Sequence, residues 1–404
     1  MRARKLGADF HKLWTASAVS NLGDGVIMVA GPLLLASLTG DPALVAGAVL
    51  AQQLPWLLFA LISGAFVDRL DRQRLIVVVD VLRGAVMAAL ALSIALDAVT
   101  IPLVYAAGFL LGTGETLADT AAAARLPSIV PGELLSRANA RLTATFLVIN
   151  QFAAKPFGAW LFAVAAAAPF GLNAATFLLA AALVMWMRPI PRPPAERRSI
   201  RRDIAEGVRW LLAHRQLRTL AAVLCAMQVT FSAAFAAYVL YARQRLGLGP
   251  LGFGVLVTAG AFGGLFGTAA AARLESRFGP TALLRTGLVV ECLTHLVLAL
   301  TRSPWVAGAT MAVFGVHAMV WGVVVAGVRQ RAVPDRLQGR VGSVYSLFDV
   351  GGAALGTLLG GVLARGLGLT GPYWVAFGAM AVIIATAWKP LAVRSTGDRA
   401  ARTG

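Results

Sequence analysis

Cysteine is scarce: Cys225 and Cys292 are the two in 404 residues. Both fall inside apolar runs, where a thiol acts as a small packing residue, so the pair gives no disulfide framework and says nothing of redox compartment. No CxxC, no HExxH and no nucleophile elbow occurs, which removes the common metal and hydrolase signatures. No G-x-x-x-x-G-K-[ST] occurs either, so direct ATP drive through that loop is unsupported. Charge is short as well. Only 13% of residues are charged, against about 25% in a soluble domain. Acids are the rarer sign, 18 against 36 Lys and Arg, for a net charge of +18.

What fills the chain is apolar sequence, 58% of it. Runs near the ~20 residues that cross a bilayer as a helix recur from end to end. They do not alternate polar and apolar residues as barrel strands would, so helices are the remaining way to satisfy the backbone in lipid. Twelve spans are expected, near 10–38, 43–67, 75–96, 101–124, 142–165 and 169–187, then 217–242, 250–272, 281–300, 304–328, 341–364 and 372–390. The start is basic (Arg2, Arg4, Lys5), but the first run is too long for a signal peptide and is expected to be retained.

With the N-terminus in the cytoplasm, segments 1–12, 68–83, 125–141, 188–218, 273–285, 329–340 and 389–402 hold 31 of the 36 Lys and Arg. The opposite side holds Arg243, Arg245, Arg302 and Arg365, and Lys155 lies within a span. This asymmetry is the positive-inside rule, and it accounts for the +18 without a nucleic-acid partner. It predicts a multi-pass protein of the cell (inner) membrane with both termini cytoplasmic.

One connector is long. In 188–216 the stiff "RPIPRPP" precedes Ile204, Val208, Leu211 and Leu212 at helical spacing among arginines, a basic amphipathic helix for the inner membrane surface. It divides the chain into 1–187 and 217–404. The halves repeat at an offset of 203: "VPGELLSR" (130–137) against "VPDRLQGR" (333–340), Gly64 on Gly267, Arg74 on Arg277, Gly84 on Gly287, Gly112 on Gly315 and Gly158 on Gly361. Parallel six-helix repeats with a midplane site belong to one transporter architecture.

"GAFVDRLDRQRL" (64–75) sets five charges between two apolar runs. It resembles the signature loop G-x-x-x-D-R-x-x-R of the major facilitator superfamily at Gly64, Asp68, Arg69 and Arg72, with Arg74 beside them. "SNLGDG" (20–25), "LPSIVPGELLSRANA" (126–140), "DIAEGVRWLLAHRQLRTL" (203–220) and "VPDRLQGRV" (333–341) resemble its enterobactin-exporter-like and macrolide-efflux-like branch. The resemblance implies an all-α membrane fold of twelve transmembrane helices in two six-helix bundles related by a pseudo-two-fold axis. It also implies a cytoplasmic latch, with Asp68 facing the start of the eleventh span and Arg340, braced by Arg137 and joined by Asp349. The bare alternative is that the loop's arginines only set topology. Two departures stand: the signature prefers Gly where Asp71 sits, and the fourth span has no Arg before Arg125 to act as the familiar antiporter arginine.

Ionisable groups at depth are costly, about 2.5–3.5 kcal/mol on insertion scales. Asp24, Glu115, Asp119, Lys155, Glu291 and Asp349 fall there. Membership of the first and fourth spans makes Asp24 and Glu115 the best proton-coupling candidates, with Lys155. A static pair of Lys155 with Asp24 or Glu115 is the equal alternative, and Glu291 reads as structural. Asn21, Asn150, Gln151, Gln228, Tyr238, His317 and Trp321 are cavity candidates, polar fixtures in an apolar pocket suited to an amphipathic ligand. The expected activity is proton-coupled efflux of an amphipathic drug, macrolide-like compound or siderophore. Such a protein is a monomer in the bilayer, driven by the proton gradient, with no cofactor, metal or catalytic residue. Proton-coupled uptake, or a non-transporting scaffold or sensor on the same fold, are the alternatives.

Overall fold

The computed structural model describes residues 6–67, 70–188 and 200–391. All regular structure in them is helical: α1 (Ala8–Leu38), α2 (Pro42–Val67), α3 (Arg72–Ala95), α4 (Ile101–Ile129), α5 (Leu135–Thr145), α6 (Ala154–Val164) and α7 (Ala168–Met185) come first. Then follow α8 (Ile200–Ala213), α9 (Arg215–Phe235), α10 (Tyr238–Leu240), α11 (Pro250–Leu300), α12 (Pro304–Ala332), α13 (Gln338–Leu367) and α14 (Gly371–Ala387). A π-helical stretch, Phe146–Ala153, joins α5 to α6 without a turn. Ten helical stretches among the described residues are long and apolar enough to cross a membrane, and α14 is a shorter apolar helix.

Two elements depart from the expected spans. The run 217–242 is broken: α9 stops at Phe235, and after Ala236 and Ala237 the chain resumes as α10 and a π-helical turn, Tyr241–Arg245. α11, by contrast, runs through two expected spans. Its 51 residues would measure about 76 Å at 1.5 Å each, more than twice the ~30 Å hydrocarbon core. Gly279 divides it, with φ 74° and ψ 160°, and Pro280 follows. Glycine alone enters that conformation freely, and proline has no N–H to continue the ladder.

The chain forms two compact units, Met1–Ile200 with Ala236–Ala261, and Arg201–Phe235 with Phe262–Gly404. In the first, α1 packs on α7 and α6, α2 on α4, and α3 on α7 and α4. The short α10 joins it against α1, and Arg243 Nη1 donates to the Ala36 carbonyl in the last turn of α1 at 2.5 Å, where a cation suits the helix dipole. In the second, α9 packs on α13 and α14. Its core gathers Leu217, Leu220, Val324, Val341 and Met380, with Leu211 of α8.

The duplication read from the sequence has a packing counterpart. A Cβ on Gly158 of α6 would come within 2.6 Å of the Val26 carbonyl of α1, and one on Gly360 of α13 within 2.2 Å of the Ala233 carbonyl of α9. Each unit thus brings two of its helices together at a glycine, α6 on α1 and α13 on α9. In lipid, where apolar side chains gain nothing by leaving their solvent, such close backbone approach holds helices together.

Candidate functional site

A buried arginine organises the first unit. Arg83 lies three turns into α3, and its side chain is 5% exposed. Its Nη2 meets Asp24 Oδ1 of α1 at 3.2 Å, and its Nη1 lies 3.7 Å from Asp80 Oδ1 one turn back. The guanidinium sits 4.0 Å over the Phe177 ring of α7. Gly114 of α4 makes the room: a Cβ there would reach Arg83 Cδ at 2.8 Å. Ser20 donates to the other Asp24 oxygen at 3.3 Å. Glu115 and Asp119 of α4 stand within electrostatic reach of Asp24 and Arg83, and Trp56 of α2 turns its indole N–H toward Glu115. One guanidinium therefore contacts two carboxyl groups, on α1 and α3, and lies within electrostatic reach of two more on α4.

This corrects two expectations. Segment 68–83 is not all cytoplasmic connection: the chain is helical from Arg72, and Arg83 with Asp80 belongs to the buried site. Nor does Lys155 pair with Asp24 or Glu115. Its Nζ donates to Gln151 Oε1 at 2.5 Å, Gln151 Nε2 to Asn150 Oδ1 at 3.0 Å, and Asn150 Nδ2 to the Asn21 carbonyl at 3.1 Å. Asn21 itself donates to the Ser17 carbonyl at 2.7 Å. Four candidates named separately form one polar chain from α6 through the π-helical stretch to α1. The π turn carries one extra residue and swings Asn150 and Gln151 off the 3.6 period, a displacement seen often at functional sites.

In the second unit Glu291 is not isolated. It meets His317 of α12, Nε2 to Oε2, at 3.4 Å with both side chains buried. Trp321 lies edge-on to His317 at 6.1 Å. Gln228 of α9 faces Asp349 of α13. Asp349 lies about 16 Å along α13 from its start, so it keeps company with Gln228 and not with the helix end assigned to the latch. Tyr238 belongs to the first unit, stacked on Tyr241 at 6.0 Å.

Of the gate residues, Asp68 and Arg69 lie outside the described residues, and Gly64 is within α2. Arg72 Nη1 donates to the Ala124 carbonyl of α4 at 2.8 Å. Asp71 has a structural reason to replace glycine: its carboxylate accepts from the Arg74 backbone N–H at 2.9 Å and caps α3. Arg74 and Arg137 are exposed. Arg340 forms an ion pair with Glu206 of α8. A Cβ on the adjoining Gly207 would come within 2.8 Å of the Arg340 carbonyl. The amphipathic helix is thus docked on the start of α13, with Leu211 buried beneath it and Leu212 exposed. The Glu206 and Arg340 side chains are 36% and 28% exposed, so Glu206→Gln is expected to cost under about 1 kcal/mol. The mark of its loss is faster amide exchange across 200–213, read by hydrogen–deuterium exchange.

The family model described as "Transmembrane secretion effector" matches residues 7–401. The chain belongs to that family, within the major facilitator superfamily. It is 28% identical over 390 residues to the multidrug efflux pump Tap of Mycobacterium tuberculosis, covering 91% of this chain and 90% of that one. It is 24% identical over 357 residues to the enterobactin exporter EntS of Escherichia coli, covering 87% and 85%. A bacterial homologue of the iron transporter ferroportin in an inward-facing state has a TM-score of 0.76 at 17% identity, covering 96% of this chain and 100% of that one. The nucleoside transporter NupG has 0.70 at 10%, covering 96% and 100%. At these identities the structural likeness speaks to fold alone. Together these place the chain among multi-pass membrane transporters.

Proposed function

We propose that this protein is a proton-coupled exporter of an amphipathic small molecule, a drug, macrolide-like compound or siderophore, working by alternating access. The observation that carries the reading is the surplus of acid around Arg83. One guanidinium balances one carboxylate outright, so Asp24, Asp80, Glu115 and Asp119 cannot all stay charged in a low-dielectric interior without partners. A carboxyl group that must be neutral when enclosed and is free to ionise when wetted binds a proton on one side and releases it on the other. The named relatives Tap and EntS, an efflux pump and an exporter, support the outward direction.

In this reading twelve spans make two six-helix halves, 1–187 and 217–404, joined by the cytoplasmic linker 188–216. α11 supplies two spans, divided at Gly279. The protein acts as a monomer in the inner membrane with both termini in the cytoplasm, and the proton gradient is its energy source.

Flux in proteoliposomes, measured for a panel of amphipathic dyes and antibiotics with and without an imposed pH gradient, tests the proposal. Exchange of substrate against protons is expected. Asp24→Asn and Glu115→Gln should each reduce gradient-driven flux to that of protein-free liposomes. Co-transport with protons would instead indicate uptake. No flux for any member of the panel would indicate a scaffold or sensor, and unchanged pH dependence in both variants would end the carrier role of these acids.

A further inference from the structure

The second unit holds a titratable pair that the Arg83 site does not use. Glu291, on the stretch of α11 after Gly279, is 2% exposed, and His317 of α12 is 8% exposed. The long 3.4 Å contact between His317 Nε2 and Glu291 Oε2 lets one proton reside on either group. The pair is neutral whichever holds it.

Three features separate this pair from a static packing device. First, it is poorly satisfied. Glu291 Oε1, both ring nitrogens of His295 one turn along α11, and Trp321 Nε1 have no hydrogen-bond partner among the described residues. A buried polar group kept only for structure is normally saturated, and each orphan costs about 1–3 kcal/mol. Second, Thr230 of α9 stands beside the Glu291 carboxyl, but the Ala226 and Met227 carbonyls, at 3.1 and 2.9 Å, compete for its single O–H.

Third, the crossing is the one used in the first unit. A Cβ on Gly287 of α11 would meet His317 Cε1 at 2.7 Å, as one on Gly114 would meet Arg83 Cδ at 2.8 Å. At the repeat offset of 203, Gly114 corresponds to His317 and Gly84, next to Arg83, to Gly287. Each half inserts a basic side chain at this crossing over a glycine of the facing helix and sets an acid against it. The first half draws the base from α3 and the second from α12.

We propose that Glu291 and His317 form a second proton-binding site, distinct from the Asp24 cluster, which holds one proton as an enclosed neutral pair. The other titratable groups near Glu291 are His295 and Cys292 on its own helix; α9 presents Thr230, and α14 contributes the Phe377 carbonyl that Cys292 meets at 3.7 Å. The role of the site in transport rests on the proton-coupled reading above, but its binding of a proton does not.

Infrared difference spectra of the purified full-length protein in lipid, recorded between about pH 5 and pH 9, read carboxyl protonation without any substrate. Glu291→Gln is expected to lose one titrating carboxyl component that the Asp24→Asn, Glu115→Gln double variant retains. A folded Glu291→Gln protein whose spectra superpose on the wild type overturns the proposal, and the first-unit reading is then judged on the components its own double variant loses. If Glu291→Gln does not fold, His317→Gln should move the midpoint of the remaining component by about 1–3 pH units. An unmoved midpoint overturns the proposal equally.

Discussion

Arg83→Ala is expected to destabilise the protein by about 3–5 kcal/mol, the penalty for removing one partner of a buried ion pair, and to abolish transport. The guanidinium reaches Asp24 and Asp80 at once and stacks on Phe177, so cutting it away leaves both carboxyl groups without their cation. Asp80 is the more exposed to the loss in energy because it is the more buried, 6% against 29% for the Asp24 side chain. Asp80→Asn in the same chain should therefore recover part of the stability, while Asp24→Asn should recover less. Arg83→Lys should fall between, since a lysine ammonium lacks the planar fork that serves two carboxylates from two helices. Thermal unfolding in detergent, followed by tryptophan fluorescence for the single and double variants, measures all four. An Arg83→Ala protein that unfolds with the wild type would remove Arg83 from the centre of the site.

That residue also shows where the sequence stops being legible. The spans are plain because their signal is length and composition, and the break at Gly279–Pro280 is plain because those two residues punctuate any helix. The repeat is visible because glycine, proline and arginine are conspicuous in an apolar chain. Arg83 is not visible by the same logic. It stands eleven residues into α3, close enough to the charged loop to be counted with it. The hint that it belongs inside is Asp80 at helical spacing in "VVDVLRG", a charge pair facing one way from an apolar helix. What confirms it, the hollow over Gly114 on another helix, is a property of packing that no local pattern carries. The same holds for Lys155. Its charge points to an acid as partner, whereas the π turn at Phe146–Ala153 delivers Gln151 instead. Glu291 and His317 lie 26 residues apart on different helices, and only their meeting gives either a role beyond packing.

Gly263→Leu is expected to be the most damaging substitution away from any charge. A Cβ at Gly263 would lie 1.8 Å from the Ala312 carbonyl, and one at Gly267, a turn later, 2.5 Å from that of Val316. α11 and α12 therefore touch backbone to backbone along two turns, and neither partner is a side chain that could swing aside. In water the apolar area that a bulkier residue buries offsets part of such a clash. In lipid that compensation is absent, because a leucine loses nothing by facing acyl chains, and close packing is what association depends on. The cost should exceed the ~1–3 kcal/mol typical of overpacking by a methylene or so. Because α12 carries His317 and the adjoining stretch of α11 carries Glu291, prying the helices apart should also disturb that pair. Gly308→Ala on α12 is the matched control: nothing lies within 4 Å of its Cβ position, and alanine is the better helix former by about 1 kcal/mol, so stability should hold or rise. Unfolding midpoints of the two variants in one detergent settle the matter. Equal midpoints would mean that α11 and α12 do not depend on this contact.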